Sequence, residues 1–314
     1  MQEKIVKPQL HQSHLSMLYK CGEKFRRIVI EGHREPPTTD LVIGTASHKA
    51  IAHNLTNKIE KGTLLTREAV QDFSRDSFIR EWQSSPIILT DEQVSDGLQK
   101  TRDVSQDSTI AIVTEHHYAI APRLKPIEVE KPWVLEAVGF PYDLAGTWDI
   151  YEKYQIVADT MKIITTIRDN KTRSRDFGQI EVDNSEQFTV YAMAAFYIKG
   201  VMPDYVFQDT LLKPTTKRPA TAISYKSTRT NDDFEVFKRR FEAACRVIDH
   251  QAYTPANPTE WWCSKSWCGF AADGSCKFFN SKRGATITKT IVQTGEENGK
   301  ESRLNAIEGI ISLK

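Results

Sequence analysis

Two aspartates and a lysine in the middle of the chain have the types and spacing that phosphodiester chemistry requires. They lie in GTWDI at 146–150 and IRDNKT at 167–172, each at or near the end of a stretch that reads as a β-strand. Asp169 and Lys171 are separated by one residue, and side chains at i and i+2 of a strand share a face. They therefore project together, and Asp149 can reach the same place from the neighbouring strand. Two carboxylates suit Mg2+ or Mn2+, hard cations that prefer oxygen ligands. A metal held there polarises a phosphate and lowers the pKa of a bound water. An ammonium beside it steadies the charge that develops in the transition state. Asp-x-Lys also occurs at ordinary solvated strand ends, so this spacing alone does not select the chemistry.

Other polar residues sit where they could join this set. His48, in GTASHKAI, belongs to a helix expected from about Thr45 to Gly62 and shares a face with Ile51, Leu55 and Ile59. That face points inward, which makes His48 either a satisfied core histidine or a further metal ligand. Gln187 and Tyr191 stand four residues apart on one face of the clearest helix in the chain, 184–199, and could brace Lys171 or contact a substrate backbone. Asn184 or Ser185 can cap that helix and Gly200 ends it. Asp159 competes with Asp169 for the second aspartate's role, but it has no lysine two residues on.

The chain has five cysteines. Cys245 lies mid-helix in FEAACRVID and reads as a small buried residue. Cys263, Cys268 and Cys276 cluster far from Cys21, and four thiolates suit an iron–sulfur cluster or Zn2+. Zinc sites usually use two close C-x-x-C pairs, which this chain lacks. One distant cysteine with a trio fits a cluster that clasps distant parts of the chain together. Trp261, Trp262, Trp267, Phe270 and Phe278 are expected to shield it. With no apolar leader and no membrane-length apolar stretch, a cytoplasmic protein with reduced thiols is expected.

The order GxxxH (Gly44 to His48), GxxD (Gly146 to Asp149), DxK (Asp169 to Lys171) and QxxxY (Gln187 to Tyr191) resembles the RecB-type branch of the PD-(D/E)XK nucleases, over about residues 13–280. The resemblance implies a restriction-endonuclease-like α/β core, His48, Asp149 and Asp169 as metal ligands, Lys171 as the catalytic lysine, and Gln187 and Tyr191 in support. Cys21 in YKCGEKFRR, with Cys263, Cys268 and Cys276, is similar to the iron–sulfur subgroup with its CRISPR-associated and AddB-like members. That similarity implies a structural [4Fe–4S] cluster. The Cys263–Cys268–Cys276 spacing is looser than the subgroup's, and Gly22 stands where proline is common. The stretch from Asp149 to Asp169 is longer than the family pattern, which predicts an inserted β-hairpin or loop.

The elements that must position these residues follow from periodicity. Helices are expected over 13–29, 66–83, 91–103 and 231–249, and strands over 110–120, 125–138, 144–151, within 155–168 and at YVFQDTLLK. This gives a mixed α/β protein with an N-terminal helical region at 1–105, a nuclease core at 106–252, a cysteine segment at 253–280 and a peripheral tail at 281–314. Formal net charge is only +1, from 42 Lys+Arg and 41 Asp+Glu, so a nucleic-acid binder must concentrate its positive charge locally. Lys20, Arg26, Arg27, Arg173 and Arg175 are candidates to line a passage for a single strand. The expected partner is DNA, single-stranded or with free ends, and the expected activity is an exonuclease in recombination, repair or phage DNA processing. GEENGKE at 295–301 is no P-loop, so a helicase or recombination partner would be a separate chain. A catalytically inactive DNA-binding or assembly protein, or an electron-transfer iron–sulfur protein, would be the alternatives. Intact Asp149, Asp169 and Lys171 argue against the first.

Overall fold

The computed structural model describes residues 7–157, 161–265, 267–279, 290–292 and 294. Asp159 and most of the expected tail lie outside the described residues.

The chain opens with β1 (Gln9–His11), α1 (Gln12–Lys20), α2 (Gly22–Phe25) and a π-helical turn at Arg26–Ile30. Three long helices follow, α3 (Thr39–Lys61), α4 (Arg67–Gln83) and, after β2 (Ile87–Leu89) and α5 (Asp91–Asp96), α6 (Leu98–Ala119). Next come β3 (Pro126–Leu135), β4 (Asp143–Val157), β5 (Met161–Arg173), α7 (Gln179–Asp183) and α8 (Glu186–Lys199). The remainder is β6 (Tyr205–Leu212), β7 (Thr221–Ser227), α9 (Asn231–Asp249), α10 (Gly269–Ala272) and β8 (Thr290–Val292). The result is a mixed sheet flanked by helices.

β4 is the axis of the sheet. β3 runs antiparallel along one edge of it, with Leu135 opposite Leu144 and Val129 opposite Ile150. The other edge is divided between two partners. β5 takes Ile150 to Val157 in antiparallel register, and β1 takes Asp143 to Ala145 in parallel register. Residues 146–149, the GTWD of the sequence, fall between them, so the sheet forks there. β5 continues beyond the fork parallel to β6, from Thr166 opposite Tyr205 to Arg173 opposite Leu212, and β7 closes that side antiparallel. Between the two aspartates β4 and β5 pair antiparallel out to Val157 and Met161.

Each face of the sheet carries a core. On one side α3, α4 and α6 bury Ile43, Ile51, Leu55, Phe78 and Ile112 against Ile150 and Leu211. On the other, α1, α8 and α9 bury Leu15, Phe188, Phe234, Phe237 and Phe241 against Tyr151, Ile167 and Val206. Each buried residue of this size contributes about 1.5–3 kcal/mol relative to exposure.

Several expectations are corrected. The strand expected at 110–120 is the second half of α6. Its β-branched content suggested a strand, but Thr101, Ser105, Ser108, Thr109, Ile112, Val113, His116 and His117 are buried at helical spacing, and packing on α3 and α4 outweighs propensity. The boundary expected after residue 105 falls inside this helix. α3 begins at Thr39 rather than Thr45, because Thr38 follows Pro36-Pro37 and accepts from the Leu41 N–H. The first helix breaks at Cys21, whose backbone is extended. The polar connection after β6 contains β7. Within 281–314, Thr290–Val292 pair with β2.

Gly146 is required by packing. A Cβ there would meet Cζ2 of Trp133 at 2.4 Å. Gly146→Ala should cost about 1–3 kcal/mol of unfolding free energy in urea titrations, because the Trp133 ring must move. An unchanged midpoint would contradict this account.

Candidate metal centre

The fork gathers side chains from both faces of the sheet. Asp149 ends the run of β4 that lies free between β1 and β5, and its Oδ2 accepts the Asn170 N–H at 2.8 Å. A side chain thus supplies the bond that the parted strands no longer make. His48 comes from α3, and its Nε2 lies 2.8 Å from the Asn170 carbonyl oxygen. A carbonyl can only accept, so Nε2 carries a proton and Nδ1 is the nitrogen at which a second proton or a metal would bind. That Nδ1 faces Asp149 Oδ2 at 3.3 Å and Glu130 Oε1 at 3.5 Å. One ligand atom from each of His48, Glu130 and Asp149 lies within 4.8 Å of the others. Three acceptors facing one another repel unless a proton or a cation sits among them.

Asp169 and Lys171 stand beside this group as the alternation of β5 requires. Lys171 Nζ is 2.8 Å from Asp169 Oδ2. Asp169 Oδ1 accepts from Gln187 Nε2 at 2.7 Å, and the same amide nitrogen donates to the Tyr191 hydroxyl oxygen at 2.7 Å. The i, i+4 pair on α8 therefore holds Asp169 in place, and Tyr191 in turn packs edge-on against Trp133. β5 is fixed from behind as well. Arg168 Nε donates to Glu152 Oε2 at 2.6 Å, its Nη1 donates to Asp209 Oδ1 at 3.0 Å, and its guanidinium lies 3.9 Å from the Phe207 ring centre.

Every residue expected at the site converges on it. His48 and Asp149 belong to the closest group. Asp169 is adjacent, with its oxygens engaged by Lys171 and Gln187. Glu130 was not anticipated: EVEK at 128–131 offers two glutamates on one face, and sequence gives no means to separate them. The structure does, because Glu128 pairs with Lys199 at 2.8 Å while Glu130 has a left-handed backbone, φ 46°, in the middle of β3. Such strain persists where the surroundings enforce it.

The electrostatics follow from this crowding of charges. Burial opposes charge on the His48 ring, but Asp149, Glu130 and Asp169 outweigh it and raise its pKa to about 9. Burial, then the neighbouring Asp169, pushes Asp149 well above the usual carboxylate range. Lys171 is also raised, since the carboxylates around it outweigh its burial. Burial drives the Tyr191 hydroxyl far above its ordinary value, so it stays protonated.

No protein-family model matches the chain, and no curated protein does. A solved structure named "Crystal structure of SSO0001" aligns over 88% of this chain and 89% of that one, at 11% identity and a TM-score of 0.35.

Four of the five cysteines fall in one region, where Cys263 feels Cys21, Cys268 and Cys276. The segment after α9 docks on the break at Cys21. Gly22 N–H donates to Thr254 O at 2.8 Å, and a Cβ on Gly22 would meet the Thr254 backbone at 2.8 Å, which is why proline is not tolerated in this arrangement. Trp262 Nε1 donates to Lys20 O at 3.2 Å, and Arg27 donates to Ser275 Oγ and O at 2.9 and 2.8 Å. Cys21 Sγ accepts from the backbone N–H of Lys24 and of Ala256, each at 3.4 Å. The Cys263 thiol is pushed up by burial and then by Cys21, Cys268 and Cys276 facing it. Cys245 is buried in the α9 core, as expected. Two expectations fail here. Trp261 and Trp267 are 59% and 61% exposed and stack edge-on against each other, and Phe278 is exposed too, so these rings do not shield the thiols. Arg26 and Arg27 are committed to Glu23 at 2.9 Å and are not free to line a passage.

The pH dependence has a definite sign. A folded pKa of His48 raised to about 9 from 6.5 stabilises metal-free protein fully below pH 6.5, and that stabilisation is lost as pH rises through 9. The raised Asp149 acts in the same direction. The melting temperature of metal-free protein should therefore fall between pH 6.5 and 9. Saturating Mn2+ should remove the fall, since the metal replaces the proton and binds more tightly as pH rises. Thermal denaturation in EDTA and in Mn2+ checks both; a profile flat with pH and indifferent to metal would sink the assignment.

Proposed function

We propose that the protein is a metal-dependent deoxyribonuclease with a restriction-endonuclease-like core of the PD-(D/E)XK type, acting on DNA ends or single strands. The observation that carries this reading is His48 Nδ1 facing the carboxylates of Glu130 and Asp149, with Asp169 and Lys171 alongside. His48, Asp149 and Glu130 would hold one Mg2+ or Mn2+, with Asp169 entering as Lys171 lets it go. A divalent ion there supplies Lewis-acid polarisation of the scissile phosphate and a lowered water pKa. Lys171 is placed to orient the attacking water and to neutralise charge on the phosphate oxygens as the water O–P bond forms and the leaving P–O bond breaks. Gln187 fixes the plane of the Asp169 carboxylate, and Tyr191, held protonated, keeps a hydroxyl hydrogen for a substrate oxygen. The imidazole favours Mn2+ over Mg2+ on ligand softness.

End-labelled single- and double-stranded DNA with Mn2+, Mg2+ or EDTA tests the reading. Cleavage should require metal, and Lys171→Ala, shown to be folded by circular dichroism, should lower its rate by about 100- to 1,000-fold. If the wild type binds DNA but cuts nothing in either metal, a non-catalytic DNA-binding or assembly role replaces it. A helicase or recombination partner would bring the DNA end to the site.

For the four-thiol group we propose a structural [4Fe–4S] cluster, with Zn2+ as the alternative. The Gly22 N–H bonded to Thr254 O and Trp262 Nε1 bonded to Lys20 O bring Cys21 to the segment that carries Cys263, Cys268 and Cys276, which supports one shared group there. Backbone N–H groups aimed at Cys21 Sγ suit a thiolate ligand. Anaerobically purified protein should contain iron and sulfide in equal amounts, and Cys21→Ala should lose them together with several degrees of melting temperature. Zinc without iron would decide for the alternative.

A further inference from the structure

β5 does not end at Lys171. Arg173 follows on the same face, about 6.6 Å further along at 3.3 Å per residue, and ends the strand. Arg175 and Phe177 come next, in the loop before α7. The guanidinium carbons of Arg173 and Arg175 each lie 4.8 Å from the centre of the Phe177 ring, which is 46% exposed. Arg173 donates through Nη2 to Glu181 Oε1 at 2.7 Å, but its Nε–H is buried with no acceptor. Among the described residues Arg175 has no hydrogen bond or ion pair, and the ring is what holds it. The loop itself is fixed. Asp176 accepts from the Gly178 N–H at 3.0 Å and from the Tyr225 hydroxyl, and Arg218 Nη2 reaches the Ser174 carbonyl at 3.5 Å. Asp176 and Glu181 are the nearby acids, and both are already engaged.

Two guanidiniums braced on one ring repel each other, and the chain as a whole has almost no excess positive charge. Concentrating cations here, in line with Lys171, is useful where an anion binds between or across them. We propose that Arg173 and Arg175, braced by Phe177, clamp the backbone phosphate next to the scissile one on a DNA strand bound at Lys171. This rests on the nuclease reading for the strand's identity. A guanidinium presents parallel N–H groups to a phosphate, which an ammonium cannot, and ring stacking keeps the fork extended before the strand arrives. Such contacts fix register and carry no sequence information. The clamp therefore positions any strand one nucleotide from the metal without regard to its bases.

The test separates the clamp from the chemistry. Binding of a short fluorescent single-stranded oligonucleotide is followed by anisotropy in EDTA over a range of KCl, with folding checked by circular dichroism. Arg175→Ala should weaken binding about five- to tenfold and make the slope of log K against log salt shallower by about 0.7, the value of one phosphate contact on a single strand. Arg175→Lys should fall between it and the wild type. Phe177→Ala keeps both charges and should still lose about threefold, because the guanidiniums are no longer braced. Affinity and slope unchanged in Arg175→Ala overturn the clamp; Phe177→Ala equal to wild type overturns the bracing. Cleavage by the wild type in Mn2+ is read separately. If the wild type binds but does not cut, and Arg175→Ala binds more weakly with the shallower slope, the nuclease reading falls and the phosphate clamp stands. If it cuts while Arg175→Ala binds normally, the clamp falls alone.

Discussion

The carboxylates of Glu130, Asp149 and Asp169 repel one another, and holding them together with their backs to a hydrophobic sheet is the constraint around which this structure is arranged. Burial magnifies that repulsion, because little water is present to screen it. The chain answers with fixed donors placed one by one. The Asn170 N–H faces Asp149, Gln187 and Lys171 face Asp169, and the His48 ring sits where a proton or a metal can join Asp149 to Glu130. Each donor needs its own element, so a strand edge, two helices on opposite faces and a strained residue in β3 all meet at one point.

The opening that admits them comes from the sheet's connectivity. β5 and β1 share an edge of β4 but do not meet, and the residues between them are released from ladder bonding. Behind β5, Arg168 sits between Glu152 and Asp209 and over Phe207. Removing one member of a buried ionic network costs more than the network contributes, because the remaining charges are left without partners. Its role is to hold the frame of β5 so that Asp169 and Lys171 keep their direction. The site and its support lie on opposite sides of one strand and alternate along it, residue by residue.

Much of this was legible in the sequence because it rests on local periodicity. The i, i+2 spacing of Asp169 and Lys171 and the i, i+4 spacing of Gln187 and Tyr191 translate directly into shared faces, and the inward face of His48 follows from Ile51 and Leu55. What was hidden depends on pairing between distant segments. Glu130 is indistinguishable from Glu128 until β3 is laid beside β4 and its backbone turns left-handed. The second half of the helix at Leu98–Ala119 reads as a strand because Ile110, Ile112, Val113 and Thr114 are β-branched, whereas the buried positions run at helical spacing. Trp261 and Trp267 were expected to cover thiols on composition alone, and composition does not say which way a ring faces.

The short pairing of β2 with β8 changes how the far end of the chain should be regarded. Ile87, Ile88 and Leu89 are all buried, and Thr290–Val292 lie antiparallel against them, with Val292 packed on the three-helix core. An uncovered strand of this composition is a template for another molecule's backbone. Three residues from a polar stretch of sequence, Thr290–Val292, therefore supply the backbone that satisfies this edge of a buried strand.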